Sequence, residues 1–66
     1  MITVNGEEFG WREGLTVQDI LDAKNYTFRM LSVWINGGPV QSREAYAATL
    51  VPDGAEVEVI HMISGG

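Results

Sequence analysis

The chain predicts an α+β roll, a mixed sheet of four to five strands with one main helix across one face. Three observations carry that expectation. The first is a turn-linked pair of short alternating segments at the N-terminal end, and the second is a single amphipathic stripe that begins at Thr16. The third is a strongly alternating last strand that follows a Pro-Asp-Gly turn. An element order of β, β, helix, β, short piece, β packs one helix on one sheet face.

Each element has a local reason. Ile2-Thr3-Val4 alternates apolar and polar and runs into Asn5-Gly6, a strong hairpin signal. Phe9 and Trp11 stand two apart and would share one face of a second strand, so residues 1–12 read as a β-hairpin. Thr16 reads as a helix N-cap, with Asp19 three residues on as a short capping-box partner. Leu15 and Ile20 then occupy the two positions of a hydrophobic staple. Val17, Ile20 and Leu21 form one apolar stripe toward the sheet. The helix is expected to end near Lys24-Asn25, with the lysine at the negative end of the helix dipole.

Leu31-Ser32-Val33-Trp34-Ile35 reads as a third strand, with Leu31, Val33 and Ile35 toward the helix and Ser32 and Trp34 away from it. Asn36-Gly37-Gly38 turns the chain, and Pro39-Val40 begins a short edge strand, where proline is tolerated. Ser42 to Tyr46 reads as a short, loosely packed helical turn. Pro52-Asp53-Gly54 is a turn, and the last strand runs from Val57 to Ile63. Val57 and Val59 point one way along it, and Glu56, Glu58, Ile60 and Met62 the other. In a β-grasp arrangement this strand lies centrally, beside the first. Residues 1–63 are expected to form the domain and residues 64–66 a flexible tail.

Bulk properties bound the function. A chain of 66 residues makes one small domain with little volume for a deep enzyme pocket. With no cysteine, disulfides, zinc thiolates and cysteine nucleophiles are excluded. The N-terminal segment lacks a signal-peptide pattern, and no apolar run reaches the roughly 20 residues that span a bilayer. The expected location is cytoplasmic. A net charge of −5 argues against a nucleic-acid partner and suits a partner with a basic docking surface. Lys24 is the only lysine.

Side-chain catalysis has poor material. His61 is the only histidine and has no second ligand of its kind for a metal. Glu56 and Glu58 share an open strand face, which supplies no cleft to shift their acidity, so a solvated charged face is the better reading. Asn36-Gly37-Gly38 lacks the pattern of a phosphate loop.

Two features remain. Trp34, Ile60 and Met62 would sit together on the outer sheet face among acidic neighbours, which marks a protein contact. Gly65-Gly66 is a thin end that can thread a channel closed to any side chain. A carboxylate is ionised at neutral pH and a poor electrophile, so chemistry at Gly66 needs activation, for example as an acyl-adenylate made from ATP. Four extended residues, 63–66, reach at most about 14 Å, enough to pass from a docked face into a partner's buried site.

Taken together, the chain resembles the ThiS family of ubiquitin-like sulfur carriers of thiamin biosynthesis. The resemblance rests on Ile2-Thr3-Val4-Asn5-Gly6, the helix start from Thr16 to Leu21, and Val33-Trp34-Ile35-Asn36-Gly37. It also rests on Ser42-Arg43-Glu44, Pro52-Asp53-Gly54, Val57-Glu58-Val59-Ile60 and Gly65-Gly66. It implies a ubiquitin-like β-grasp and a protein co-substrate rather than an enzyme. It implies that an E1-like adenylyltransferase of the ThiF type consumes ATP to adenylate Gly66, with no cofactor bound to the carrier itself. Sulfur from a cysteine desulfurase relay then makes a thiocarboxylate, which a thiazole synthase of the ThiG type uses for the thiazole ring. Gly65 and Gly66 match the reactive tail. Ile60 and Met62 match the docking surface in position, and Trp34 is added to it from the strand pattern. The small subunit of molybdopterin synthase shares the fold and tail, but its members are usually longer, often with prolines before the tail. A carrier of another sulfur pathway, a covalent protein modifier and a non-covalent binding module are the remaining alternatives.

Overall fold

A computed structural model describes residues 1–26, 30–40 and 43–61. Among the described residues five strands, one α-helix and one 3₁₀ turn follow the order β1 (Ile2–Val4), β2 (Glu7–Phe9), α1 (Val17–Ala23), β3 (Leu31–Ile35), β4 (Gly38–Pro39), the 3₁₀ turn (Arg43–Ala45) and β5 (Glu56–His61). The sheet order is β2-β1-β5-β3-β4. The last strand is central, parallel to β1 and antiparallel to β3. This is the mixed sheet with one helix expected from the sequence.

The core lies between the sheet and α1. Ile2 and Val4 of β1, Val33 of β3 and Val57 of β5 are buried against Val17, Ile20 and Leu21 of the helix. Leu15, Val51 and Ala55 close the same cluster. Burial of such side chains contributes roughly 25 cal/mol per Å² of apolar surface removed from water, the main favourable term in a domain this small.

The N-terminus of α1 is fully accounted for. Thr16 accepts from the Asp19 N–H, and the Asp19 carboxylate accepts from the Thr16 N–H, a complete capping box. The Val17 and Gln18 N–H groups donate to the carbonyls of Thr49 and Tyr46. The Ile20 N–H donates to the Thr16 carbonyl. All four N–H groups that a helix start leaves without helical partners are therefore satisfied. At the other end Asn25 takes a φ of +59°. Its N–H donates to Asp22, and that of Tyr26 to Leu21, the paired bonds of a Schellman motif.

Three sequence expectations need correction. β2 stops at Phe9, and Trp11 lies beyond it. The indole N–H of Trp11 donates to the Val51 carbonyl at 2.6 Å, so the ring belongs to the loop packing rather than to a strand face. Lys24 is the C-cap of α1, at the helix end where the sequence placed it, and its ammonium reaches Glu7 at 2.9 Å, across to β2. Tyr46 is buried in the core rather than loosely packed, because the 3₁₀ turn folds back over the helix start. The β3–β4 turn is Asn36-Gly37 alone, and Gly38 already pairs with Ile35.

β5 is described as far as His61, so the end expected for the strand at Ile63 lies outside the described residues, as do Ser42 and the tail at 64–66. Among the described residues no helix is long and apolar enough to cross a membrane.

Candidate functional site

The alternation of β3 and β5 builds the outer sheet face. Val33 and Val57 point into the core, so Ser32 and Trp34 on β3 and Glu56, Glu58 and Ile60 on β5 point outward. The register sets Trp34 opposite Glu58 and Ser32 opposite Ile60. Trp34 and Ile60 are therefore diagonal neighbours, within reach of a large aromatic side chain. Ile60 is 47% exposed, and Trp34 is half-buried.

Trp34 is held in place. Its indole N–H donates to the Ser32 hydroxyl at 2.9 Å. Pro39 of β4 is its register partner on the other side. The ring is thus presented as a fixed apolar surface rather than a mobile one. The next strands continue the face with Thr3 opposite Glu56 and Glu8 opposite Thr3. Glu8, Glu56 and Glu58 are all exposed, so the charged side chains along this line are acidic.

The sequence placed Trp34, Ile60 and Met62 together. The structure brings the first two to one face; Met62, like Gly65 and Gly66, lies outside the described residues. Glu56 and Glu58 share the face but are exposed side chains of an open sheet surface. His61 falls on the opposite side of β5 from Ile60, in register with Leu31. Among the described residues no group of three His, Asp or Glu side chains could hold a metal ion.

Two residues near the site were not singled out from the sequence beyond their turns. Asn5 and Asn36 both open Asn-Gly turns with positive φ at both central residues, +52° and +83° in the first, +50° and +82° in the second. This is the turn whose twist matches paired strands. Each asparagine also bonds β5. Asn36 donates its N–H to the Glu56 carbonyl and accepts the Glu56 N–H on its side chain at 2.9 Å. Asn5 donates its N–H to the Val57 carbonyl and accepts the Val59 N–H on Oδ1 at 2.8 Å. Its Nδ2 donates to the Val59 carbonyl at 3.3 Å. The repeated Asn-Gly pair was the available signal, but turn chemistry alone does not say that the side chains reach a third strand.

Comparison with known proteins decides what this arrangement belongs to. The sequence matches the ThiS family over residues 2–66. The chain belongs to the ThiS family. A crystal structure of a thiamine biosynthesis protein (ThiS) from Geobacter metallireducens superimposes with a TM-score of 0.77 at 34% sequence identity. The match covers 98% of this chain and 97% of that one. The fold is accordingly the ubiquitin-like β-grasp of a ThiS protein, and the central β5 is the strand that leads into residues 62–66.

Proposed function

We propose that this ThiS-type sulfur carrier of thiamin biosynthesis works through the main-chain carboxylate of Gly66, presented by the outer sheet face. The carboxylate attacks the α-phosphorus of ATP in an E1-like adenylyltransferase, and pyrophosphate leaves. The terminal sulfur of a protein persulfide from a cysteine desulfurase relay then attacks the acyl carbon, and AMP leaves. A second thiol of the partner proteins cleaves the acyl disulfide, forming a disulfide with the persulfide cysteine and releasing the thiocarboxylate. The resulting thiocarboxylate delivers sulfur to a thiazole synthase. The carrier supplies no catalytic side chain; it supplies a docking surface and a thin end.

The observation that carries this reading is the coincidence of family membership over residues 2–66 with an apolar Trp34–Ile60 pair shared by β3 and β5, the second of which runs into the tail. The acidic side chains of Glu8, Glu56 and Glu58 suit a partner whose apolar hollow is edged by Lys or Arg. Docking through this face would place β5, and with it the start of the tail, against the partner.

Top-down mass spectrometry tests the mechanism. The chain is incubated with ATP, a sulfur donor and the adenylating enzyme of the source cell. Replacing one terminal oxygen by sulfur changes the mass almost as methionine oxidation does, and the chain has three methionines, so fragmentation must place the change. Sulfur on Gly66 is the expected outcome. An unmodified terminus in the presence of active enzyme would overturn the reading in favour of a non-covalent binding module.

A further inference from the structure

We propose that Asn5 is a positioning residue for the chemistry at Gly66, an inference that rests on the carrier function proposed above. β1 ends at Val4, yet β5 continues to His61. Beyond Val57 the β1 side of the central strand therefore has no backbone from β1 to pair with. The side chain of Asn5 takes over. Its carboxamide has the same donor and acceptor as a peptide group, and it bonds both the N–H and the carbonyl of Val59. The Asn5 Nδ2 also lies 3.5 Å from the Tyr26 hydroxyl, which ties the clamp to the end of α1. One side chain thus extends the β1 edge and pins β5 two residues before the last described position.

The placement matters because the tail starts from there. Residues 62–66 follow β5 in the sequence, so the Asn5 clamp at Val59 acts on the end of the strand from which the chain continues to Gly66. Asn36 provides an internal control. It makes the equivalent side-chain bond at Glu56, on the other edge and at the far end of the same strand. Loss of either bond weakens β5, but only the loss at Asn5 alters the end that leads to the tail.

The test compares Asn5→Gly with Asn36→Gly. Glycine accepts the positive φ at each turn, so both variants keep the turn and lose only the side chain. Amide exchange at Val59 should speed up by about fivefold in Asn5→Gly and stay unchanged in Asn36→Gly. With the adenylating enzyme, the kcat for pyrophosphate release should fall by about tenfold or more in Asn5→Gly, with KM within about twofold. Asn36→Gly should keep a kcat near that of the parent. Equal losses in the two variants would reduce Asn5 to a stability residue and overturn the inference, as would an unchanged kcat in Asn5→Gly beside a parent that turns over. A parent chain that active enzyme never adenylates removes the carrier reading itself, and this inference with it.

Discussion

Ile60 and Trp34 do different work on the same face. Ile60 stands nearly half exposed, whereas Trp34 is half-buried with its indole N–H bonded to the Ser32 hydroxyl. An aspartate at Ile60 would bury an unpaired charge in any complex formed there. Ile60→Asp is therefore expected to weaken binding to the adenylating enzyme by about tenfold or more while leaving the fold intact, as read by a binding titration beside a thermal melt. Unchanged affinity would remove this face from the interface. Trp11 makes the opposite kind of contact. Its single bond to the Val51 carbonyl closes the loop after β2 over the core. Trp11→Phe should cost about 1 kcal/mol in urea unfolding and leave adenylation unaffected.

The helix depends on its ends more than on its length. α1 spans only 7 residues, too few to be stable alone, and is held by the capping box, the Schellman motif and the segment after the 3₁₀ turn, whose Tyr46 and Thr49 carbonyls accept its first N–H groups. Bonds from Thr16, first through its backbone N–H, and then the nearby Arg12 guanidinium hold the Asp19 carboxyl below its ordinary value of 3.8. A carboxyl depressed in the folded state binds its proton less readily there than in the unfolded chain. Its contribution is thus complete above pH 3.8 and is lost as pH falls through the lower folded value. Asp19→Asn should lower the melting temperature at neutral pH, and the gap from the parent should close as the pH is taken below that of a free aspartate. A gap constant with pH would mean that the ionised carboxylate adds nothing beyond a neutral acceptor. The Lys24–Glu7 pair lowers Glu7 and raises Lys24, but it is a surface ion pair and contributes little.

At the scale of the molecule, stability and function are separable along the chain. Among the described residues the largest fully buried side chains are Ile2, Val4, Val17, Ile20, Val33 and Val57, all between the sheet and the helix, while the glycines proposed to react follow the last strand in the sequence. Ile20→Ala should cost about 3 kcal/mol. That is a large share of the roughly 3–10 kcal/mol available to a chain of this length. By contrast, adding one residue after Gly66 should leave the urea midpoint unchanged and abolish sulfur loading. Normal loading of the extended chain would sink the terminal-carboxylate mechanism.

Local chemistry made most elements legible from the sequence. The Asn-Gly turn, the Thr16–Asp19 cap, the stripe from Val17 to Leu21 and the strict alternation of β3 and β5 each depend on neighbours within a few residues. The outward placement of Trp34 and Ile60 followed from the same period of two, and Gly65-Gly66 was legible as a motif. Contacts distant in sequence were decided by the tertiary structure alone. It seated Tyr46 in the core, sent the Trp11 indole to Val51 and the Lys24 ammonium to Glu7, and laced Asn5 and Asn36 onto β5. The reason is physical. Periodicity and turn propensity report the conformation of a segment, whereas a hydrogen-bond partner 40 or 54 positions away exists only once the sheet has set the strand order and register.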